Sequence, residues 1–209
     1  MLTVVGNLKG GTGKSTVAFN LAVWLAHDKA GVRAFDFDPQ CTLVDVCEVR
    51  EEDGYEPMFE VSTDIAELEE RVSDKKNKQP IIVDISASNM PAMEMAISLA
   101  DRILIPVQPS QADIWSTQRF LKIVANSLNA DKNTEILGFI NRADTHLGVR
   151  ETDEAEQALK MMPGIKCVDI RLHQRTAYRR SFSEGLGVFE LDPMGKASKE
   201  MKILATLLD

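Results

Sequence analysis

Apolar and polar positions along this chain are grouped in blocks, not scattered singly. Short apolar and β-branched runs occur at Leu2–Asn7, Val32–Phe37, Pro80–Ile85, Arg102–Gln108, Thr134–Asn141 and Ile165–Arg171. Most are apolar at successive positions, so both faces of each strand need cover, the pattern of a buried parallel sheet. Between the runs the spacing becomes helical. Val17, Leu21 and Leu25 recur every four residues, and Ile114, Leu121, Val124 and Leu128 mark one face of a later helix. Repeated strand–helix–strand order predicts an α/β fold with a mostly parallel central sheet and helices on both faces.

Three stretches depart from this alternation. Val49–Pro57 is acidic (Glu51, Glu52, Asp53, Glu56), carries Gly54 and Pro57, and reads as a solvated surface loop. Ser73–Gln79 reads as a polar, lysine-rich helix end before the strand at Ile81. Met194–Leu208 has Ala197, Met201, Leu204 and Leu208 on one side and Lys196, Lys199 and Lys202 elsewhere. A closing helix docked on the sheet fits that pattern better than a membrane-surface helix, because bulky aromatics are missing.

Composition narrows the class. A length of 209 residues suits one domain, 44% hydrophobic content suits a soluble globular protein, and a charge of −8 argues against a general nucleic-acid coat. Cys41, Cys47 and Cys167 form no CxxC pair, so neither a disulfide framework nor a zinc cluster is expected. No apolar run reaches membrane-spanning length, and Met1–Gly6 enters a strand pattern without a basic leader, which points to the cytoplasm. His27, His146 and His173 have no metal-ligand spacing, and no Ser/His/Asp or Cys/His set is present.

The chemistry concentrates at Asn7-Leu8-Lys9-Gly10-Gly11-Thr12-Gly13-Lys14-Ser15-Thr16. This segment follows a strand and opens a helix, the setting of a phosphate-binding loop. Gly10, Gly11 and Gly13 let backbone N–H groups converge on phosphate oxygens, and the following helix adds the positive end of its dipole. Lys14 supplies a charge to the outer phosphates, and the Ser15 hydroxyl can coordinate Mg²⁺. Two further segments carry acids. Asp36-Phe37-Asp38-Pro39-Gln40 places two aspartates at the end of a strand, and Gln79–Asp84 reads as an apolar strand ending in an acid, a Walker B pattern. A carboxylate at a buried strand end is costly unless it faces a cation or good donors.

The loop has Leu8 where the common phosphate loop has its first glycine, and Lys9 precedes the glycine pair. The pattern K-G-G-x-G-K-[ST] resembles the deviant Walker A motif of the ParA/MinD family of dimeric ATPases, and D-x-D-P-Q resembles that family's switch segment. The likeness runs over nearly the whole chain and is to the short members, which lack an operator-binding helix-turn-helix domain. It implies a P-loop NTPase fold that uses ATP and Mg²⁺ and closes as a homodimer over nucleotide. Lys9 would then reach the partner's nucleotide as a cation acting in trans. By the same resemblance Asp36 and Asp84 help to hold Mg²⁺ through water, and Asp38 positions the attacking water. Ile85-Ser86-Ala87-Ser88 departs from the second switch usual in relatives, and no catalytic residue is assigned there.

Further along, Asp113 either faces the nucleotide or dimer seam or belongs to an ordinary helix start. Asn141, followed by Arg142, matches the position that reads the adenine edge in relatives; otherwise it is a turn asparagine. Residues 171–202 hold seven Lys and Arg against four acids, so the basic residues are segregated in an acidic chain. Arg175 and Arg179 lie four apart, with Arg180 beside them, and on a helix they would share a face. Such a face is either simply solvated or contacts duplex phosphates without reading bases. The family resemblance favours nonspecific binding to nucleoid DNA by the ATP-bound dimer, with a ParB-like or cargo-adaptor protein stimulating hydrolysis. A membrane-bound MinD-like positioner needs a terminal amphipathic anchor. A metabolic nucleotide enzyme or an iron–sulfur reductase needs a substrate pocket or cluster cysteines.

Overall fold

The computed structural model describes residues 1–27, 31–74, 76–146 and 150–208. Every expected apolar run forms a strand, and the elements alternate from the start. They begin β1 (Leu2–Val5), α1 (Lys14–Ala26), β2 (Arg33–Asp36), α2 (Thr42–Glu52), β3 (Glu60–Ser62), α3 (Ile65–Ser73), β4 (Ile81–Asp84) and α4 (Met90–Leu99). They continue with β5 (Arg102–Val107), α5 (Gln111–Ser127), β6 (Glu135–Ala143), α6 (Glu151–Lys160) and β7 (Lys166–His173). Three helices close the chain: α7 (Thr176–Ser183), α8 (Val188–Leu191) and α9 (Lys196–Thr206).

The strands form one seven-stranded sheet in the order β3-β2-β4-β1-β5-β6-β7, parallel at every pairing. Each face is sealed by its own apolar layer. One layer joins Leu68, Met93, Ile97, Phe120, Val124 and Leu159 from α3 to α6. The other joins Phe19, Leu43, Val46, Val188, Phe189, Met201 and Leu204 from α1, α2, α8 and α9. Burial on both sides explains why the strands read as continuous apolar runs.

The edge strand β3 gave no apolar signal, because its residues are exposed or half-buried. The acidic stretch is also a correction. Val49–Glu52 are the last turn of α2, and only the residues after them leave the helix. Arg50 is the reason. Its side chain is 1% exposed and reaches Glu190 at 2.8 Å and the Gly185 carbonyl at 2.9 Å, which pins that turn against α8. At the C-terminus, Ala197, Met201, Leu204 and Leu208 are all buried, so α9 is a closing helix whose apolar side is used within the chain. Among the described residues no helix is long and apolar enough to cross a membrane.

Candidate nucleotide site

The strand order puts β1 at the centre, and the chain leaves its C-terminal end as the glycine loop. Crevices outside the carboxyl ends of parallel strands are where α/β sheets bind ligands. Gly13 sits at φ 90°, ψ 22° just before α1, and no side chain caps that helix. By contrast, α3 is capped by Asp64, α4 by Asn89 and α5 by Ser110. The first N–H groups of α1 are thus left for an anion. Gly11 adopts φ 76°, a conformation that favours glycine.

Two side chains from distant strands brace the loop. Gln108 Nε2 donates to the Gly11 carbonyl at 2.6 Å, and Asn141 Nδ2 donates to the Thr12 carbonyl at 2.6 Å. A Cβ on Gly13 would lie 2.4 Å from Asn141 Nδ2, so glycine is required there for packing as well as for conformation. Lys14 is 7% exposed, and its ammonium lies 3.4 Å from the Lys9 carbonyl. Lys9 itself turns to α5 and meets Asp113 Oδ2 at 2.5 Å.

Both acidic strand ends come together as the motifs imply. Asp36 on β2 is the register partner of Asp84 on β4, which in turn pairs with Val5 on β1. Asp36 Oδ1 accepts from the Asp38 N–H at 3.0 Å, and Oδ2 accepts from the N–H groups of Leu43 (2.8 Å) and Val44 (3.2 Å). This carboxylate therefore shapes the whole turn from Asp38 to α2. Burial raises its pKa, and those backbone donors work against the rise. Asp38 is half-buried on that turn, its Oδ1 accepting from the Gln40 N–H at 3.0 Å.

Asp84 is fully buried, and neither of its oxygens has a hydrogen-bond partner among the described residues. Burial pushes its pKa up to about 7; the Ser15 hydroxyl and the Lys14 charge oppose the rise, and Asp36 adds to it. A buried carboxylate with only the nearby Ser15 hydroxyl and the Lys14 charge to favour ionisation is expensive. An orphaned acid beside the Ser15 hydroxyl fits a hydrated Mg²⁺, the species both groups are suited to hold.

Next to α1 a cavity of about 420 Å³ is lined by Gly13, Thr16, Asn141, Arg142, Tyr178 and Arg179, among others. The cavity opens beside the glycine loop, which contributes Gly13 to its wall. Asn141 lines it while spending its amide nitrogen on Thr12. The aromatic wall from α7, Tyr178 and Phe182, carried no motif by which sequence could single it out.

The three arginines do not share one helical face. Arg175 precedes α7 as its extended N-cap residue, and its guanidinium lies 2.5 Å from Glu200 on α9. Arg180 pairs with Glu184 at 2.8 Å, and Arg179 makes no ion pair among the described residues. Glu200 was invisible as a partner because it lies 25 residues away in sequence. The remaining carboxylate in question, Asp113, is in the first turn of α5, 1% exposed, with Ser110 and Lys9 on one oxygen and no partner on the other.

A parallel sheet carrying a glycine loop, a strand-end acid and an extra loop lysine defines a P-loop ATPase domain of the deviant Walker A type. The chain belongs to the CobQ/CobB/MinD/ParA nucleotide-binding domain family, whose model matches residues 3–189. It is 26% identical over 207 residues to maintenance of carboxysome distribution protein A of Halothiobacillus neapolitanus, covering 94% of this chain and 90% of that protein. It is 28% identical over 191 residues to protein ParA of Rhizobium radiobacter, covering 88% and 83%. Among solved structures, an ATP complex of Cyanothece McdA superposes with a TM-score of 0.79 at 19% identity, covering 99% and 95% of the two chains.

Proposed function

We propose that the 209-residue chain works as one ATPase domain of the ParA-like positioning type. Mg²⁺-ATP closes two copies face to face, the closed dimer binds DNA without reading sequence, and a partner protein stimulates hydrolysis and release. The observation that carries this reading is Lys9, a second lysine on the glycine loop with 40% of its side chain exposed, beside a phosphate cradle it does not itself complete. Bound Mg²⁺ would neutralise charge on the outer phosphates. This chain's own residues supply the rest. Gly10, Gly11, Thr12, Gly13, Lys14, Ser15 and Thr16 hold phosphate, Ser15, Asp36 and Asp84 hold the hydrated cation, and Asp38 orients water. Asn141 and Arg142 flank the base, and Lys9 of each copy stabilises charge at the other's nucleotide.

DNA contact is assigned to the exposed Arg179 and Arg180, with Arg175 held beside them by Glu200, and carries the salt dependence of phosphate binding. Dimer closure doubles a weak surface, so retention should follow the nucleotide state. The cargo class is supported by relatives named for carboxysome distribution and for ParA: a protein assembly or a DNA element. The protein would act in the cytoplasm on the nucleoid, without a membrane. The test is DNA retention with ATP, ADP and no nucleotide across a salt series. Retention confined to ATP and lost with salt is expected. Equal retention in all three states, or binding to anionic lipid instead, overturns the reading.

A further inference from the structure

The outer face of α5 is not used by the nucleotide site. Ile114, Phe120 and Val124 turn inward, whereas Trp115, Gln118, Arg119 and Lys122 follow the helical repeat on the opposite side and are all exposed. Trp115 is 53% exposed, and Met161, at the end of α6, is 85% exposed. Between α5 and that end of α6 runs a groove of about 650 Å³, lined by the apolar Trp115, Leu121, Met162 and Pro163 and by the cations Arg119 and Lys122. Neither cation makes an ion pair among the described residues, although the chain carries a net charge of −8. Tryptophan and arginine exposed together around an apolar cleft are the make-up of interaction hot spots.

We propose that this groove docks an amphipathic segment of a partner protein, its apolar side chains seated between Trp115 and Met162 and its carboxylates against Arg119 and Lys122. Charge complementarity selects an acidic segment, since two unpaired cations would repel a basic one. The groove lies on the helix whose first turn holds Asp113 and, through it, Lys9, so occupancy bears on the lysine that the functional reading assigns to catalysis.

Docking itself is tested without hydrolysis. The probes are two helical peptides of one length and one leucine pattern, one with glutamates and one with lysines on its polar face. The readout is tryptophan emission of the full chain, and Trp115→Phe separates Trp115 from Trp24, the chain's other tryptophan. The glutamate peptide is expected to shift emission to the blue saturably, the shift to vanish in Trp115→Phe, and R119E/K122E to weaken binding about tenfold or more. Retained ADP binding in both variants shows that they fold. No saturable shift, an equal response to both peptides, or indifference to the charge reversal overturns the proposal. So does a shift given by phosphatidylglycerol vesicles and not by the glutamate peptide, or self-association of the chain that Trp115→Phe abolishes. ATP turnover measured with the bound peptide then reads the link to Lys9 separately, and unchanged turnover removes only that link.

Discussion

Lys9 Nζ stands 2.5 Å from Asp113 Oδ2, joining the phosphate loop to the first turn of α5 across 104 positions of sequence. The lysine is 40% exposed, whereas the carboxylate is 1% exposed, so the pair is half in water and half in the protein. Each partner matters differently to the other. Without the lysine, Asp113 would lie buried with no cation beside it, whereas Lys9 without the carboxylate would be solvated.

Lys9→Ala therefore carries two expected effects. Partner-stimulated ATP turnover falls about tenfold or more, because a cation near the transferring phosphoryl group is lost, while ADP affinity stays within about twofold. Thermal stability also falls, since Asp113 is left buried without its cation at a cost of about 1–3 kcal/mol, kept to the low end by the exposure of Lys9. Adding Asp113→Asn restores part of the melting temperature but none of the turnover. A double-mutant cycle by thermal melts and ATPase assay checks both. Unchanged turnover in Lys9→Ala removes the trans-acting role.

Asp84→Asn should separate function from stability. The orphaned buried carboxylate has its pKa raised to about 7, above the roughly 3.9 of an unfolded chain. Between those values the folded state holds a proton that the unfolded state has released, so the stability of the ligand-free protein declines as pH rises from ~4 towards 7. The amide has no charge to bury. The variant is expected to lose this decline and to melt several degrees higher near neutral pH, at ~2–4 °C per kcal/mol for a chain of this size, while losing Mg²⁺-dependent turnover. Melting curves across that pH range, with ATPase rates alongside, decide it; a variant that melts lower at neutral pH contradicts the account.

Gly13→Ala should abolish nucleotide binding without unfolding the sheet. Its Cβ would meet Asn141 Nδ2 at 2.4 Å, and its φ of 90° is strained for alanine. The loop must shift, and the open N–H groups of α1 lose their aim. Titration with a fluorescent ADP analogue is expected to show at least about a hundredfold loss of affinity, with far-UV circular dichroism unchanged. Wild-type affinity would mean that the brace from Asn141 is dispensable.

Acid stability should depend on Glu67. Its hydrogen bond with Arg33 is the main reason its pKa is lowered to about 2, with Ser62 and Arg71 adding to the effect against burial. The contribution is complete above the unfolded value of ~4.3 and is lost as pH falls through the folded value. Glu67→Gln should therefore be less stable than wild type at neutral pH, with the gap closing between roughly pH 4.3 and 2. Urea midpoints across that range measure it. A gap that is constant with pH would assign the loss to packing.

Much of the site is local and so was legible. The glycine loop, Asp36 and Asp38, and the strand ending in Asp84 each lie within a few consecutive residues at a strand end, where spacing alone fixes which backbone and side-chain groups face the crevice. The six apolar strands were visible because burial on both faces leaves an unbroken apolar run, whereas β3, exposed at the sheet edge, left none. The acidic end of α2 misled because Arg50 finds its partner 140 residues away, and a charge-rich stretch looks the same whether solvated or anchored.

The class of this protein is written locally: strand–helix alternation and a deviant phosphate loop follow from short-range periodicity and from chemistry held in ten residues, Asn7 to Thr16. What the isolated charges do depends on the packed fold. Lys9 meets Asp113, Arg175 meets Glu200, and Asn141 braces Thr12, all because the strand order brings β1, β5, β6 and the C-terminal helices side by side. A salt bridge or hydrogen bond acts over a few ångströms, so its partner is set by which strands are neighbours, and no local pattern encodes that.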